Sequence, residues 1–398
     1  MTIPITRPLI GKEELLAVRR ALESGWVVQG PCVREFEEKL AGYTGASHAV
    51  ATSSGTTALH AALAALGVGE GDEVIVPAFT WVSTANVVEH LGAKAVFCDI
   101  DLATYNVDVA ALEAVVTART VGVVPVHLFG LSANIEPIVA LARRHGLWIV
   151  EDCACSLGGW YHGTHTGRFG EFGCFSFHPR KSITTGEGGM VVTDREDLAD
   201  VARSLRNHGS ATADSPGSAP LLSDYVRLGF NFRLTDIQGA LGSAQMDRLH
   251  KVLERRRHRA ALYDAALAGE GWLQTPVVPD GLVHGYQAYV CLFRPEEPSL
   301  ANVRALNERR NALMAELDRR GIATRQGTHS PVLTRVYRER YRLRPEDFPN
   351  AVLADRLSLA VPLYPQLTDK EQEIVVAELR SAFRTVSCSG YGLVRATT

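Results

Sequence analysis

The stretch Val121-Gly122-Val123-Val124-Pro125-Val126, a helix-length segment Ile135–His145, and then Leu147-Trp148-Ile149-Val150-Glu151-Asp152 decide the fold. Both apolar runs lack polar alternation, which marks strands buried on both faces, and a helical pattern separates them. The same alternation extends upstream. His48-Ala49-Val50-Ala51 precedes an Ala/Leu helix over Thr56–Leu66, Glu73-Val74-Ile75-Val76 precedes a helix over Ser83–His90, and Ala95-Val96-Phe97-Cys98 precedes one near Val109–Val115. Downstream, the runs Cys174–Phe177 and Met190–Thr193 add two more strands. The pattern predicts an α/β fold whose large domain has a mainly parallel sheet between helices.

Beyond this region, Thr235 to about Leu267 reads as one long helix, with Thr235 as N-cap and Asp236 in its first turn. A proline-bearing stretch follows (Pro276, Pro279), then an amphipathic helix near Arg304–Arg320 and a last helix over Thr368–Phe383. Residues Ala211–Pro220, rich in Ala, Ser, Pro and Gly, read as a mobile loop. A chain of 398 residues exceeds one ordinary core. We therefore expect a large domain over 1–250 and a smaller C-terminal α/β domain over 251–398, with roughly the first 20 residues free to pack on the smaller one.

Composition narrows the function classes. The chain is 46% hydrophobic and 21% charged, with a net charge of -3 and no long basic run. That balance argues against nucleic acid or a membrane surface as a partner. No stretch approaches the ~18 to 20 consecutive apolar residues of a membrane span, and the N-terminus lacks the layout of a signal peptide. Seven scattered cysteines do not suggest a disulfide framework. Cys153-x-Cys155 has no second pair at ligand spacing, so no metal is expected. Reduced thiols and a cytoplasmic location fit these features.

The chemistry centres on Lys181, between the strand-like run ending at Phe177 and the glycine-rich turn Gly186-Glu187-Gly188-Gly189. On position alone it is a surface charge; its company changes the reading. Glu151-Asp152 ends a buried strand, and Ser53-Ser54-Gly55-Thr56-Thr57 is a small-residue loop opening a helix. An amine, an acid and an anion cradle together suggest pyridoxal phosphate (PLP) held as a Schiff base. Asp152 is the candidate partner of the pyridine nitrogen, or else a cap on the next turn. Glu151 competes for that role, but neighbours on a strand face opposite ways, so only one should meet the ring. Backbone N–H groups and hydroxyls of Ser54, Gly55 and Thr56 can hold a phosphate, or the loop is a plain helix cap. Ser176 can add a hydroxyl. Trp81 can stack on the ring, or be a core aromatic.

The motifs Ser53–Leu59, Asp72–Pro77, Glu151-Asp152, Phe175–Lys181 and Gly186–Gly189 together resemble the DegT/StrS-type sugar aminotransferases, whose fold is that of the aspartate aminotransferase superfamily (fold type I). The resemblance continues through Leu205–Gly209, Gly229–Gln238, Gly25-Trp26…Gly30-Pro31 and Phe348–Ala351, covering nearly the whole chain. It implies Lys181 as the Schiff-base lysine, Asp152 at the pyridine nitrogen, Gly55, Thr56 and Ser176 at the phosphate, and Trp81 on the ring. Asn231 would reach the phosphate of the neighbouring subunit's cofactor in a homodimer with shared active sites. His329 falls where the small domain meets the substrate. Cys155 stands where the family often carries Gln or His against the ring hydroxyl, and a thiol is a weaker partner.

The implied reaction moves an amino group from an amino acid, L-glutamate or L-glutamine, to a keto-sugar, usually nucleotide-linked, with keto-inositols as the alternative acceptors. The family's sugar dehydratases carry histidine in place of the lysine, so Lys181 argues against elimination. A non-catalytic regulatory homologue would not need the intact Lys181, Asp152 and phosphate loop. A NAD-binding dehydrogenase is set aside because no Gly-x-Gly-x-x-Gly follows an early strand.

Overall fold

Buried apolar runs must satisfy their backbone by pairing, and here they do so in one central sheet. In the computed structural model, which describes residues 2–211 and 224–388, seven strands form it. They are His48–Thr52 (β1), Glu73–Pro77 (β2), Lys94–Cys98 (β3), Thr120–Val123 (β4), Trp148–Asp152 (β5), Phe172–Ser176 (β6) and Gly189–Thr193 (β7). Their order across the sheet is β1-β7-β6-β5-β4-β2-β3. Pairings from β6 through β3 are parallel, and only β7 runs against its neighbours β1 and β6. This is the mainly parallel mixed sheet expected from the sequence. Helices Ser83–His90 and Ile135–His145 span the residues the pattern indicated.

A second sheet lies C-terminal: Leu273–Gln274 (β8), Tyr289–Phe293 (β9) and Ser358–Val361 (β10), antiparallel in that order. Helices Val303–Arg319 and Asp369–Cys388 accompany it. The chain start joins this part, where Ile3 bridges Ile322 and the Leu363 N–H donates to the Ile5 carbonyl at 3.1 Å. One buried apolar cluster runs from Val74 and Val76 of β2 through Phe79 and Phe129 to Tyr289 and Leu359 of the second sheet. The two sheets thus share a core.

One expectation fails. The segment after Thr235 is two helices, Asp236–Met246 and Leu249–Leu267. Arg248 leaves the helical region at φ -121°, ψ 12°, while its guanidinium is drawn to the Leu9 carbonyl at 2.8 Å and to Glu14 at 2.8 Å. Asp247 is drawn sideways to Lys39 at 2.6 Å. Polar pulls on two consecutive residues redirect the chain where apolar periodicity alone would continue. Thr235 does cap the first helix, accepting from the Gln238 N–H in a reciprocal box. Residues 212–220 of the stretch read as a loop lie outside the described residues.

Candidate active site

Because β1, β2, β5 and β6 run the same way, their carboxyl ends meet at one edge of the sheet, the usual place for ligands in open α/β sheets. From that edge β1 leads to Ser54, β2 to Trp81, β5 ends on Asp152, and β6 ends on Ser176 and leads to Lys181. Topology therefore gathers groups that are up to 127 positions apart in the chain, from Ser54 to Lys181.

The anion cradle sits at the start of helix Gly55–Ala65. Ser54 is extended and accepts from the Thr57 N–H at 3.1 Å, while Thr57 Oγ1 accepts from the Ser54 N–H at 2.9 Å. Ser54 is thus a true cap, and the cap faces the helix open end. The first-turn N–H groups of Gly55 and Thr56 have no intrahelical acceptor. A Cβ on Gly55 would lie 2.7 Å from Ser176 Cβ and 3.2 Å from Ser176 Oγ. Glycine here lets β6 bring the Ser176 hydroxyl against the helix N-terminus. Gly189 has the same purpose on the other side, since a Cβ there would meet the Ser54 carbonyl at 2.1 Å.

Alternation along β5 separates the two acids. Glu151 is fully buried and saturated. It takes N–H bonds from Gly167, Phe169 and Gly170 at 2.7, 2.7 and 3.0 Å, and pairs with His127 Nε2 at 2.8 Å. The Ala133 N–H donates to His127 Nδ1 at 3.0 Å, so the ring's proton sits on Nε2 and is given to Glu151. His127, Glu151 and Cys153 lie close enough to resemble a metal cluster, but both imidazole nitrogens and both carboxylate oxygens already have partners. Asp152 points the other way. It accepts from Thr84 Oγ1 at 2.9 Å and from the Ala154 N–H at 3.0 Å. Burial pushes its carboxyl above the ordinary range, opposed by those two bonds and by the charge of Lys181. A buried acid with few donors has room for one more cationic or N–H partner.

Lys181 Nζ lies 3.1 Å from Cys155 Sγ. Trp81 is 58% exposed, which rules out the core-aromatic reading, and its ring centroid is 6.0 Å from that of His329. The Thr80 N–H donates to the His329 carbonyl at 3.1 Å, tying His329 to the segment that follows β2. Asn231 is exposed, on a segment that pairs with Asn207 and whose Phe232 carbonyl accepts from the Ser53 N–H at 2.9 Å, next to the cradle loop. Thr84, unsuspected from the sequence, contacts Asp152; nothing distinguishes it from other first-turn threonines of a helix.

Helix-end N–H groups beside a serine hydroxyl suit a phosphate, a buried acid suits a pyridine nitrogen, and a strand-end lysine suits an aldehyde. The donor set fits PLP. Fold and donor set define a PLP-dependent aminotransferase. The chain belongs to the DegT/DnrJ/EryC1/StrS aminotransferase family, whose model matches residues 8–380. It is 38% identical over 381 residues to the spore coat polysaccharide biosynthesis protein SpsC of Bacillus subtilis (strain 168), covering 95% of this chain and 96% of that one. Among solved structures it resembles the aminotransferase TlmJ from Streptoalloteichus hindustanus, with 30% identity, 97% and 100% of the two chains covered, and a TM-score of 0.87. It also resembles the putative sugar aminotransferase Spr1654 from Streptococcus pneumoniae in its PMP-form, with 28% identity, 98% and 99% covered, and a TM-score of 0.90.

Proposed function

We propose that the protein transfers an amino group from L-glutamate or L-glutamine to a nucleotide-linked keto-sugar, in a cytoplasmic homodimer. The observation that carries this reading is the convergence of Lys181, Asp152 and the Gly55–Ser176 cradle on one sheet edge, in a chain of a sugar aminotransferase family. PLP, when bound, supplies the electron sink for breaking a bond to the donor α-carbon.

In this reading the chain's own groups have distinct tasks. Ser54, Gly55, Thr56 and Ser176 hold the phosphate. Asp152, ionised, keeps the pyridine nitrogen protonated, and Thr84 and Ala154 aim it. Trp81 covers one ring face. Lys181 anchors the cofactor and, once displaced by the donor, moves the proton from the donor α-carbon, an acid–base step worth typically ~10²–10⁴-fold. Cys155, beside the amine, replaces the family's Gln or His and weakens that contact. His329, next to Trp81, meets the acceptor, and Asn231 is contributed across the dimer.

Holoprotein should be yellow, and borohydride should bleach it and fix the cofactor on Lys181; a colourless protein that takes up no PLP rejects the reading. Glutamate or glutamine should discharge the colour, and a panel of nucleotide keto-sugars and keto-inositols should identify the acceptor. Amination of keto-inositols alone would replace the sugar assignment.

A further inference from the structure

Arg256 is a large buried cation without a counter-ion. It lies on helix Leu249–Leu267 at 2% exposure, and among the described residues no carboxylate pairs with it. Such a charge is costly to bury, and breaking or omitting its partner normally makes it more so. Burial lowers its pKa to about 10, far above neutrality, so it stays charged.

Its fork reaches carbonyls only. Nη1 donates to Tyr286 at 3.3 Å, Gln287 at 3.2 Å and Leu363 at 3.3 Å, and Nη2 faces the Lys181 carbonyl at 3.5 Å. Three separate chain segments thus converge on one guanidinium, and one of them is the lysine turn itself. Gln287 grips the same turn one residue earlier, its Nε2 donating to the Arg180 carbonyl at 2.8 Å.

The platform beneath is itself fixed. Tyr286 sits at φ 46°, a conformation a tyrosine holds only when its surroundings impose it. His284 imposes it by accepting the Tyr286 N–H at 2.8 Å and stacking on its ring at 3.9 Å. The Gly285 N–H is bonded to the Gly130 carbonyl at 2.8 Å, and a Cβ on Gly130 would meet Tyr286 N at 2.8 Å. Neighbouring Arg257 ties the same helix to the carbonyls of His284 at 3.2 Å and Gly158 at 2.8 Å.

We propose that Arg256 and Gln287 are positioning residues for Lys181, clamping the backbone of residues 180–181 onto the fixed segment 284–287 so that the amine points at the cofactor aldehyde. This rests on Lys181 being the cofactor-linked lysine. The clamp acts through the carbonyls of Arg180 and Lys181.

The test compares the full-length wild type with Gln287→Ala and Arg256→Lys. Each is stripped of cofactor, mixed with PLP, and followed by appearance of the visible band, by borohydride fixation with peptide mass spectrometry, and by the pH at which the band half-converts. Thermal unfolding of the cofactor-free protein controls for folding. Gln287→Ala should unfold like the wild type yet label Lys181 at least about tenfold more slowly, since misplacing a reacting group costs rate steeply. Its band should convert at a shifted pH, and Arg256→Lys should move both readouts further. Wild-type labelling and an unshifted band in folded Gln287→Ala overturn the proposal, whether or not Arg256→Lys folds. A wild type that never labels at Lys181 would instead reject the function reading.

Discussion

Cys155 Sγ and Lys181 Nζ are 3.1 Å apart at the sheet edge. Four of the other cysteines, 98, 153, 174 and 291, are buried. Burial also raises the thiols of Cys98, Cys153, Cys174 and Cys291, which makes them poor nucleophiles. Iodoacetamide on cofactor-free protein should therefore label Cys155 but not these four, and saturation with PLP should protect it several-fold by occupying the space beside Lys181. Equal labelling of Cys155 with and without PLP, read by peptide mass spectrometry, would place the cofactor elsewhere.

Gly55 is required by contact with Ser176. Gly55→Ala puts a methyl 2.7 Å from Ser176 Cβ, so strand β6 and the helix must part. Overpacking of this kind costs about 1–3 kcal/mol, and the parted donors should bind PLP at least about tenfold more weakly, near one hydrogen bond's worth. Adding Ser176→Gly removes the obstructing Cβ and should recover stability without recovering all the affinity. A double variant no more stable than Gly55→Ala would show that the clash is relieved another way.

Much of this arrangement was legible in the sequence because it is local. Apolar runs without alternation announced β1 to β7, and Thr235 announced its cap. Alternation along β5 correctly divided Glu151 from Asp152. What stayed hidden depends on side chains reaching across the fold. Arg248 leaving the helix for Leu9 and Glu14 split the predicted long helix, and Arg256 gathering carbonyls from 181, 286, 287 and 363 has no signature within its own helix. Thr84 meets Asp152 from 68 positions away, and periodicity carries no such distance.

Asp152 makes the cofactor-free protein pH-sensitive. Its folded pKa is raised above the ordinary value of 3.8 by burial. The folded state then holds its proton more tightly than the unfolded chain, so its contribution to stability is full below pH 3.8 and declines as pH rises through the raised value. Asp152→Asn cannot ionise. Relative to that variant, cofactor-free wild type should lose stability as pH climbs above about 4 and then level off, as measured by chemical denaturation at several pH values. A difference independent of pH would mean that Asp152 is not desolvated.

Asp99 explains a motif whose meaning the sequence left open. Phe348-Pro349-Asn350-Ala351 begins helix Pro349–Leu357, and no side chain of the helix caps it. Asp99, at the end of β3, does so from the central sheet, accepting from the Asn350 N–H at 3.0 Å and the Ala351 N–H at 2.8 Å. Asn350 Nδ2 returns a bond to the Ile100 carbonyl at 2.9 Å. A carboxylate on a helix N-terminus both satisfies donors and meets the helix dipole. Asp99→Ala should thus cost about 1–2 kcal/mol of stability and loosen the helix that leads into β10. Asp99→Asn keeps an acceptor and should cost less than half of that. Since neither substitution touches the cofactor cradle, PLP uptake should be unchanged in both, and loss of uptake in the folded Asn variant would mean that this cap also sets the active site.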